Sequence, residues 1–233
     1  MTKVAILGDF NPDSHTHKAL NESIQHVADF SKIPITADWI GTDDIDIENV
    51  FGHDYNGLWI APGSPYRNAE NVIKAIKYTR ERNIPTLGNC GGFQLMIVEF
   101  ARNICGIENA DHEETNPLAE NLVITKLTCS LVRMQEDLSI TDKHSLLFSI
   151  IKNDHFAGSY FCSYGINERF KQQLISGGCS FTVTSPDGQS RALELKTHPF
   201  FIGTLFQPAL DSAKGFPNPI INAFLNTSTT KPI

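Results

Sequence analysis

Short apolar runs, each stopped by glycine or proline and separated from the next by helical spacing, constrain this chain more than any other feature. Val4–Leu7 stops at Gly8, Gly57–Ala61 stops at Pro62-Gly63, and Ile84–Leu87 stops at Gly88. Strands of this kind are buried on both faces, as in a parallel sheet covered by helices. Lys18–Phe30 is apolar at Ala19, Leu20, Ile24, Val27, Ala28 and Phe30, which is helical spacing. Ile33–Ile40 reads as a second strand. Ala69–Arg82 reads as a helix through Val72, Ile73, Ile76 and Tyr78, and Gly91–Ile104 as a strongly apolar one. The alternation, with short connections, predicts an α/β, doubly wound, mostly parallel sheet with helices on both faces. Ligands of such sheets bind beyond the carboxyl ends of the strands. The segments Asp9–His17, Pro62–Arg67 and Gly88–Gly92 are therefore where a site is expected.

After Asn109 the pattern changes. Asn121–Thr125, Gly178–Thr184, Arg191–Leu195 and Phe201–Phe206 read as strands, and Ser185-Pro186-Asp187-Gly188 as a hairpin turn. These predict a small antiparallel extension. Pro217–Leu225 reads as a closing helix and Thr227–Ile233 as a frayed tail. No repeat or linker divides the 233 residues, so a single domain, 1–233, is expected.

The formal charge of −7 comes with no basic run or face, which argues against nucleic acid. No apolar stretch approaches the ~20 residues of a membrane span, and no signal peptide is evident. The five cysteines are odd in number, widely spaced and without a CxxC pair, which argues for thiols in a reducing compartment and a cytoplasmic protein. No GxGxxG or Walker pattern occurs, and no cofactor is expected. The acids Asp43, Asp44, Asp46 and Glu48 fit no ligand template and read as a solvated turn, so no metal is expected.

Gly88-Asn89-Cys90-Gly91-Gly92 follows a strand and opens a helix. G-x-C-x-G in that setting is the thiol form of the nucleophile elbow, whose tight turn demands small neighbours. The sulfur would sit at a helix N-terminus, where the dipole and free N–H groups favour thiolate. The N–H of Gly91, with one from the Gly63 loop, would stabilise an oxyanion. The alternative is a buried structural cysteine in a glycine-rich turn.

Nearly the whole chain resembles the class I glutamine amidotransferase family, in particular the glutaminase domain of CTP synthases. The resemblance rests on IAPGSPY (60–66), RERNIPTLGNCGGFQLMIVEFARNICGIENADHEE (80–114), SYGIN (163–167), SPDG (185–188) and HPFFIGTLFQP (198–208). It implies a flavodoxin-like fold, Cys90 as nucleophile and Gly63 in the oxyanion loop. It also implies that Gln94, Glu114 and Tyr164 line the pocket for glutamine or a related amide. His198 matches a histidine the family carries apart from its catalytic one, and takes no chemical role.

The pattern breaks where the family ends a strand in F-H-P-E. This chain reads Phe206-Gln207-Pro208-Ala209, so Gln207 stands at the base and Ala209 at the residue that orients it. An amide cannot accept a proton near neutral pH. An arginine that would hold the substrate carboxylate falls on Ser163. His15 and His17, expected in the loop after the first strand, are the candidate substitute bases. His112 and His155 read as solvated loop histidines. Cys162 reads as a buried thiol, or alternatively as a resolving partner for Cys90.

These features give three expected functions. One is a glutamine amidotransferase-like hydrolase whose incomplete triad leaves glutamine hydrolysis weak, altered or absent. The second is an inactive binding or regulatory homologue. The third is a thiol hydrolase acting on another small substrate. Amidotransfer would need an ATP-dependent synthetase domain that the resemblance does not include, so a synthetase partner or a homo-oligomer is expected.

Overall fold

The computed structural model describes residues 2–43, 45–51 and 55–229. Asp44, one of the four acids read as a solvated turn, lies outside them. The elements run β1 (Thr2–Leu7), α1 (His15–Ser31), β2 (Ile35–Ile40), the single turn α2 (Ile47–Asn49), β3 (Gly57–Ile60), α3 (Ala69–Glu81), β4 (Thr86–Asn89) and α4 (Gly91–Asn103). There follow β5 (Ala110–His112), β6 (Asn121–Lys126), β7 (Gln135–Ile140), α5 (Leu146–Ile151), β8 (His155–Ser159), β9 (Tyr164–Ile166) and α6 (Lys171–Ser176). The chain closes with β10 (Ser180–Thr184), β11 (Ser190–Glu194), β12 (Phe201–Thr204) and α7 (Pro219–Thr227).

Nine strands form one sheet in the order β2-β1-β3-β4-β12-β11-β10-β7-β8. The first five are parallel to one another. The last four are antiparallel and extend the sheet. The fold is thus the expected α/β sheet with a parallel core and helices on both sides. A separate sheet joins β5, β6 and β9. Trp59, Phe93, Phe200, Phe201, Phe206 and Phe224 are fully buried and fill the layers.

Short polar side chains fix where the helices start. Ser14 accepts from the N–H of His17, Asn68 from Asn71 and Asn218 from Ile220, so each helix begins just after its cap. Glu194 of β11 accepts from the N–H groups of Leu146 and Leu147 at 3.0 and 3.1 Å and so anchors α5 to the sheet. The cap at Ser14 starts α1 three residues earlier than the apolar spacing suggests. His15 and His17 are therefore in its first turn and not in a loop.

Other boundaries move as well. β12 ends at Thr204; Leu205 still donates its N–H to the Arg191 carbonyl of β11 at 2.8 Å, and the chain then turns away. Thr227 closes α7, and Ser228 is buried with its hydroxyl on the Phe224 carbonyl at 2.9 Å, so the expected fraying does not begin there. Residues 230–233 lie outside the described residues. The Ser185–Gly188 turn joins β10 to β11, with Gly188 at φ +80° and its N–H on the Ser185 carbonyl.

Candidate active site

The carboxyl ends of β1, β3, β4 and β12 converge on one edge of the sheet. At the end of β4 the chain turns through Cys90, at φ +53° and ψ −109°, into α4. That conformation is costly for an L-residue and must be imposed by its surroundings. Three hydrogen bonds impose it. The Cys90 N–H donates to the Thr204 carbonyl at 2.9 Å. Asn89, buried below, accepts from Trp59 Nε1 at 2.7 Å and donates to Thr204 Oγ1 at 2.8 Å. Helix α4 must also press against β3. A Cβ on Gly92 would sit 2.7 Å from the Ile60 carbonyl oxygen, and one on Gly91 would sit 3.0 Å from Tyr66 Oη. Only glycine fits at 92, and a Cβ at 91 would have to push the Tyr66 ring aside.

The Pro62–Tyr66 loop after β3 is held from both sides. Tyr66 donates its hydroxyl to the Ala61 carbonyl at 2.6 Å. Gly63 is at φ +123°. His17 Nδ1 accepts from the Asn11 N–H at 3.0 Å, which fixes the proton on Nε2, and Nε2 donates to the Pro62 carbonyl at 2.8 Å. Both ring nitrogens of this buried histidine are thus engaged in fixing the loop. His15 is exposed, edge-on to Phe161 with ring centroids 4.5 Å apart. Neither histidine lines the cavity that holds Cys90. Asp9, just beyond β1, binds Thr42 and the Arg67 N–H and ties the neighbouring loops together.

That cavity is about 450 Å³, lined among others by Gly63, Cys90, Gln94, Glu114, Tyr164 and Gln207. Gln94 is buried on α4. Its Nε2 donates to the Tyr164 carbonyl at 2.8 Å, and its Oε1 faces His112 Nε2 at 3.0 Å. His112 Nδ1 accepts from the Glu114 N–H at 3.0 Å, so Nε2 carries the proton and orients the Gln94 amide. Burial lowers the pKa of His112 to about 4. His112 is therefore a buried neutral histidine, not the solvated one expected. Gln94 and Glu114 also line a second cavity of about 240 Å³, which takes in Gly91 as well.

Beyond β12, Gln207 is 2% exposed and its N–H is held by the Ser159 carbonyl at 2.8 Å. Its Oε1 has no hydrogen-bond partner among the described residues, and the same holds for Glu114 Oε2. One cavity is therefore lined by two residues that each carry a buried, unsatisfied acceptor. Ala209 is buried close by in a short 3-10 turn. Ser163 pairs its hydroxyl with Ser130 at 3.0 Å. Lys126, at the end of β6, is the one cation lining the cavity among the described residues. No motif or spacing singles out Lys126, because only the pairing of β6 within the second sheet brings it to the cavity. Asp9 likewise carries no motif, whereas His112 lies inside the 80–114 stretch, where it reads as a solvated loop residue.

The family model described as "Glutamine amidotransferase class-I" matches residues 15–226. The CTP synthase of Sulfolobus acidocaldarius is 31% identical, the similarity covering 97% of this chain and 45% of that protein. The CTP synthase of Halalkalibacterium halodurans is also 31% identical, over 99% of this chain and 46% of that protein. The chain thus spans about half the length of these curated relatives. Among solved structures, the Trypanosoma brucei CTPS glutaminase domain with bound acivicin superposes with a TM-score of 0.89 at 19% identity, covering 100% of this chain and 96% of that one. A glutamine amidotransferase from Thermotoga maritima gives a TM-score of 0.56 at 10% identity, over 97% and 95% of the two chains. No helix among the described residues is long and apolar enough to cross a membrane. With a sheet edge that gathers the elbow, the loop and the pocket wall, and a family match over most of its length, the chain belongs to the class I glutamine amidotransferases.

Proposed function

We propose that the chain binds glutamine or a related small amide against Cys90 and hydrolyses it slowly at most. The observation that carries this reading is the pairing of a strained elbow cysteine with Gln207, whose buried carbonyl oxygen lacks a partner among the described residues. In this reading Cys90 Sγ attacks the amide carbon. The N–H groups of Gly91 and the Gly63 loop take the developing oxyanion charge. Glu114 Oε2 accepts from the substrate ammonium, and Gln94, locked by His112, shapes the wall beside Tyr164. The carboxylate meets Lys126, because Ser163 stands where the family places an arginine.

Proton transfer is the missing part. Gln207 can neither take the thiol proton nor return it to leaving ammonia, and Ala209 can orient nothing. In a serine hydrolase, loss of the base costs on the order of 10⁶ in kcat. A thiol loses less, because sulfur is the stronger nucleophile when no base assists it. His17 is committed to the Pro62 loop, so no replacement base is assigned. Ammonia, if formed, would pass to a synthetase partner, by analogy with the CTP synthases the chain resembles. Five free thiols suit a reducing, cytoplasmic setting. The second reading, a glutamine-sensing module without turnover, is favoured by the joint loss of both proton-handling residues.

Ammonia release from glutamine tests the proposal. Wild type should release little, and Cys90→Ala none. The double variant Gln207→His/Ala209→Glu should raise the rate by at least tenfold. Wild-type turnover within the ordinary enzyme range of ~1–10³ s⁻¹ would overturn it.

A further inference from the structure

Cys162 lies against the nucleophile. Cys90 Sγ is 3.7 Å from the carbonyl oxygen of Phe161, the residue preceding Cys162. Cys162 Sγ is 3.9 Å from the carbonyl oxygen of Leu205, the residue following Thr204, to which the Cys90 N–H is bonded. Both residues are thereby held against the end of β12. Both line the cavity of about 450 Å³, and both are thiols. Contact with Cys90 and then burial hold the Cys162 thiol well above its ordinary pKa, so its proton stays on sulfur until the S–S bond forms. Gln207 is 2% exposed and lines the same cavity, and its unpartnered Oε1 can accept one O–H.

We propose that Cys90 and Cys162 form a reversible thiol–disulfide pair oxidised by a small hydroperoxide. The step goes beyond amide chemistry and needs no base at position 207. Cys90 sulfur attacks the terminal oxygen of the hydroperoxide, whose O–H is held by Gln207 Oε1. The S–O bond forms and the O–O bond breaks. The departing alkoxide or hydroxide takes the Cys90 proton and leaves as alcohol or water. Cys162 sulfur then attacks the sulfenic sulfur. The S–S bond forms, the S–O bond breaks, and hydroxide leaves with the Cys162 proton as a second product, water. Two thiols lose two electrons and the hydroperoxide gains them. A dithiol reductant returns both thiols and so restores the nucleophile.

The test uses hydrogen peroxide at one equivalent on the full chain. Free-thiol titration should fall from five to three, intact mass should drop by two hydrogens, and peptide mapping should find Cys90 joined to Cys162. In Cys162→Ser, and in Cys162→Ala as a second variant should serine unsettle the buried site, the cross-link should vanish. Cys90 should instead gain one oxygen, trapped by a cyclic dione. Dithiothreitol should restore all five thiols in wild type. Cross-linking confined to Cys105, Cys129 or Cys179, with Cys90 and Cys162 still alkylatable, overturns the proposal. So does stepwise oxygen addition to wild-type Cys90 without cross-linking. None of these readouts depends on glutamine turnover.

Discussion

Replacing Cys90 by glycine and separately by alanine isolates the backbone strain of the elbow, because neither variant carries the thiol. At most positions alanine is the more stable choice, by about 0.4–1 kcal/mol, since glycine leaves more freedom in the unfolded chain. Here φ +53° with ψ −109° lies outside even the left-handed helical well. The strain on any residue with a Cβ is therefore near the upper end of the range for such sites, about 3 kcal/mol. Glycine escapes it. It forfeits one buried methyl, about 0.8 kcal/mol, as well as the entropy difference. The balance leaves Cys90→Gly more stable than Cys90→Ala by about 1.5 kcal/mol, or about 3–6 °C in Tm for a chain of this size. Urea unfolding of the two variants, with m-values compared for equality, reads the difference. If alanine is equal or superior at this position, the elbow is unstrained and its surroundings impose no geometry on the nucleophile.

Buried His112 predicts an acid limb. Its folded pKa of about 4 lies below the unfolded value of 6.5, so the unfolded chain binds the proton first. Stability should be full above pH 6.5 and fall as pH drops toward 4, by about 3 kcal/mol at 1.36 kcal/mol per unit. His112→Gln should flatten that limb, measured by urea unfolding across the window. Between α3 and α4, Arg80 meets the fully buried Glu99 at 2.8 Å. Arg80→Ala should cost about 3–5 kcal/mol by stranding the carboxylate, and Arg80→Leu/Glu99→Leu should recover most of it, both read by urea unfolding. Gly92→Ala should lower Tm and slow alkylation of Cys90, because its Cβ would meet the Ile60 carbonyl at 2.7 Å. An unchanged rate and Tm would mean that α4 can lift away from β3 at no cost.

The parallel core was legible because both-faces-buried strands leave continuous apolar runs, as in Val4–Leu7 and Gly57–Ile60. The elbow was legible because a strand, Cys90 and two glycines open a helix in one short stretch, and Gly92 leaves no room for a Cβ at that crossing. Less was readable after Asn109. β7 and β8 are half-exposed strands, and β7 carries charge at Glu136 and Asp137, so their alternation is weak. β5 and β9 are only three residues long. The first turn of α1 was hidden because Ser14, His15, Thr16 and His17 are polar. Its start is set by a cap and not by apolar spacing. Lys126 reaches the site through the pairing of β6 with β9, and His112 through β5 lying on α4, where it meets Gln94; neither contact is written in a local spacing. The closeness of Cys162 to Cys90, offered by the sequence only as an alternative, is set by two carbonyl contacts, at Phe161 and Leu205, which no spacing rule contains.

Whether Cys90 is a reactive thiol beside a pocket shaped for glutamine decides the rest. Intact-protein mass after incubation with an electrophilic glutamine analogue, under reducing conditions and next to Cys90→Ala, tests this most directly. One adduct is expected on the wild-type chain and none on the variant. No adduct on wild type, with Cys90 still open to a small alkylating reagent, would contradict it and leave a reactive thiol without a glutamine pocket.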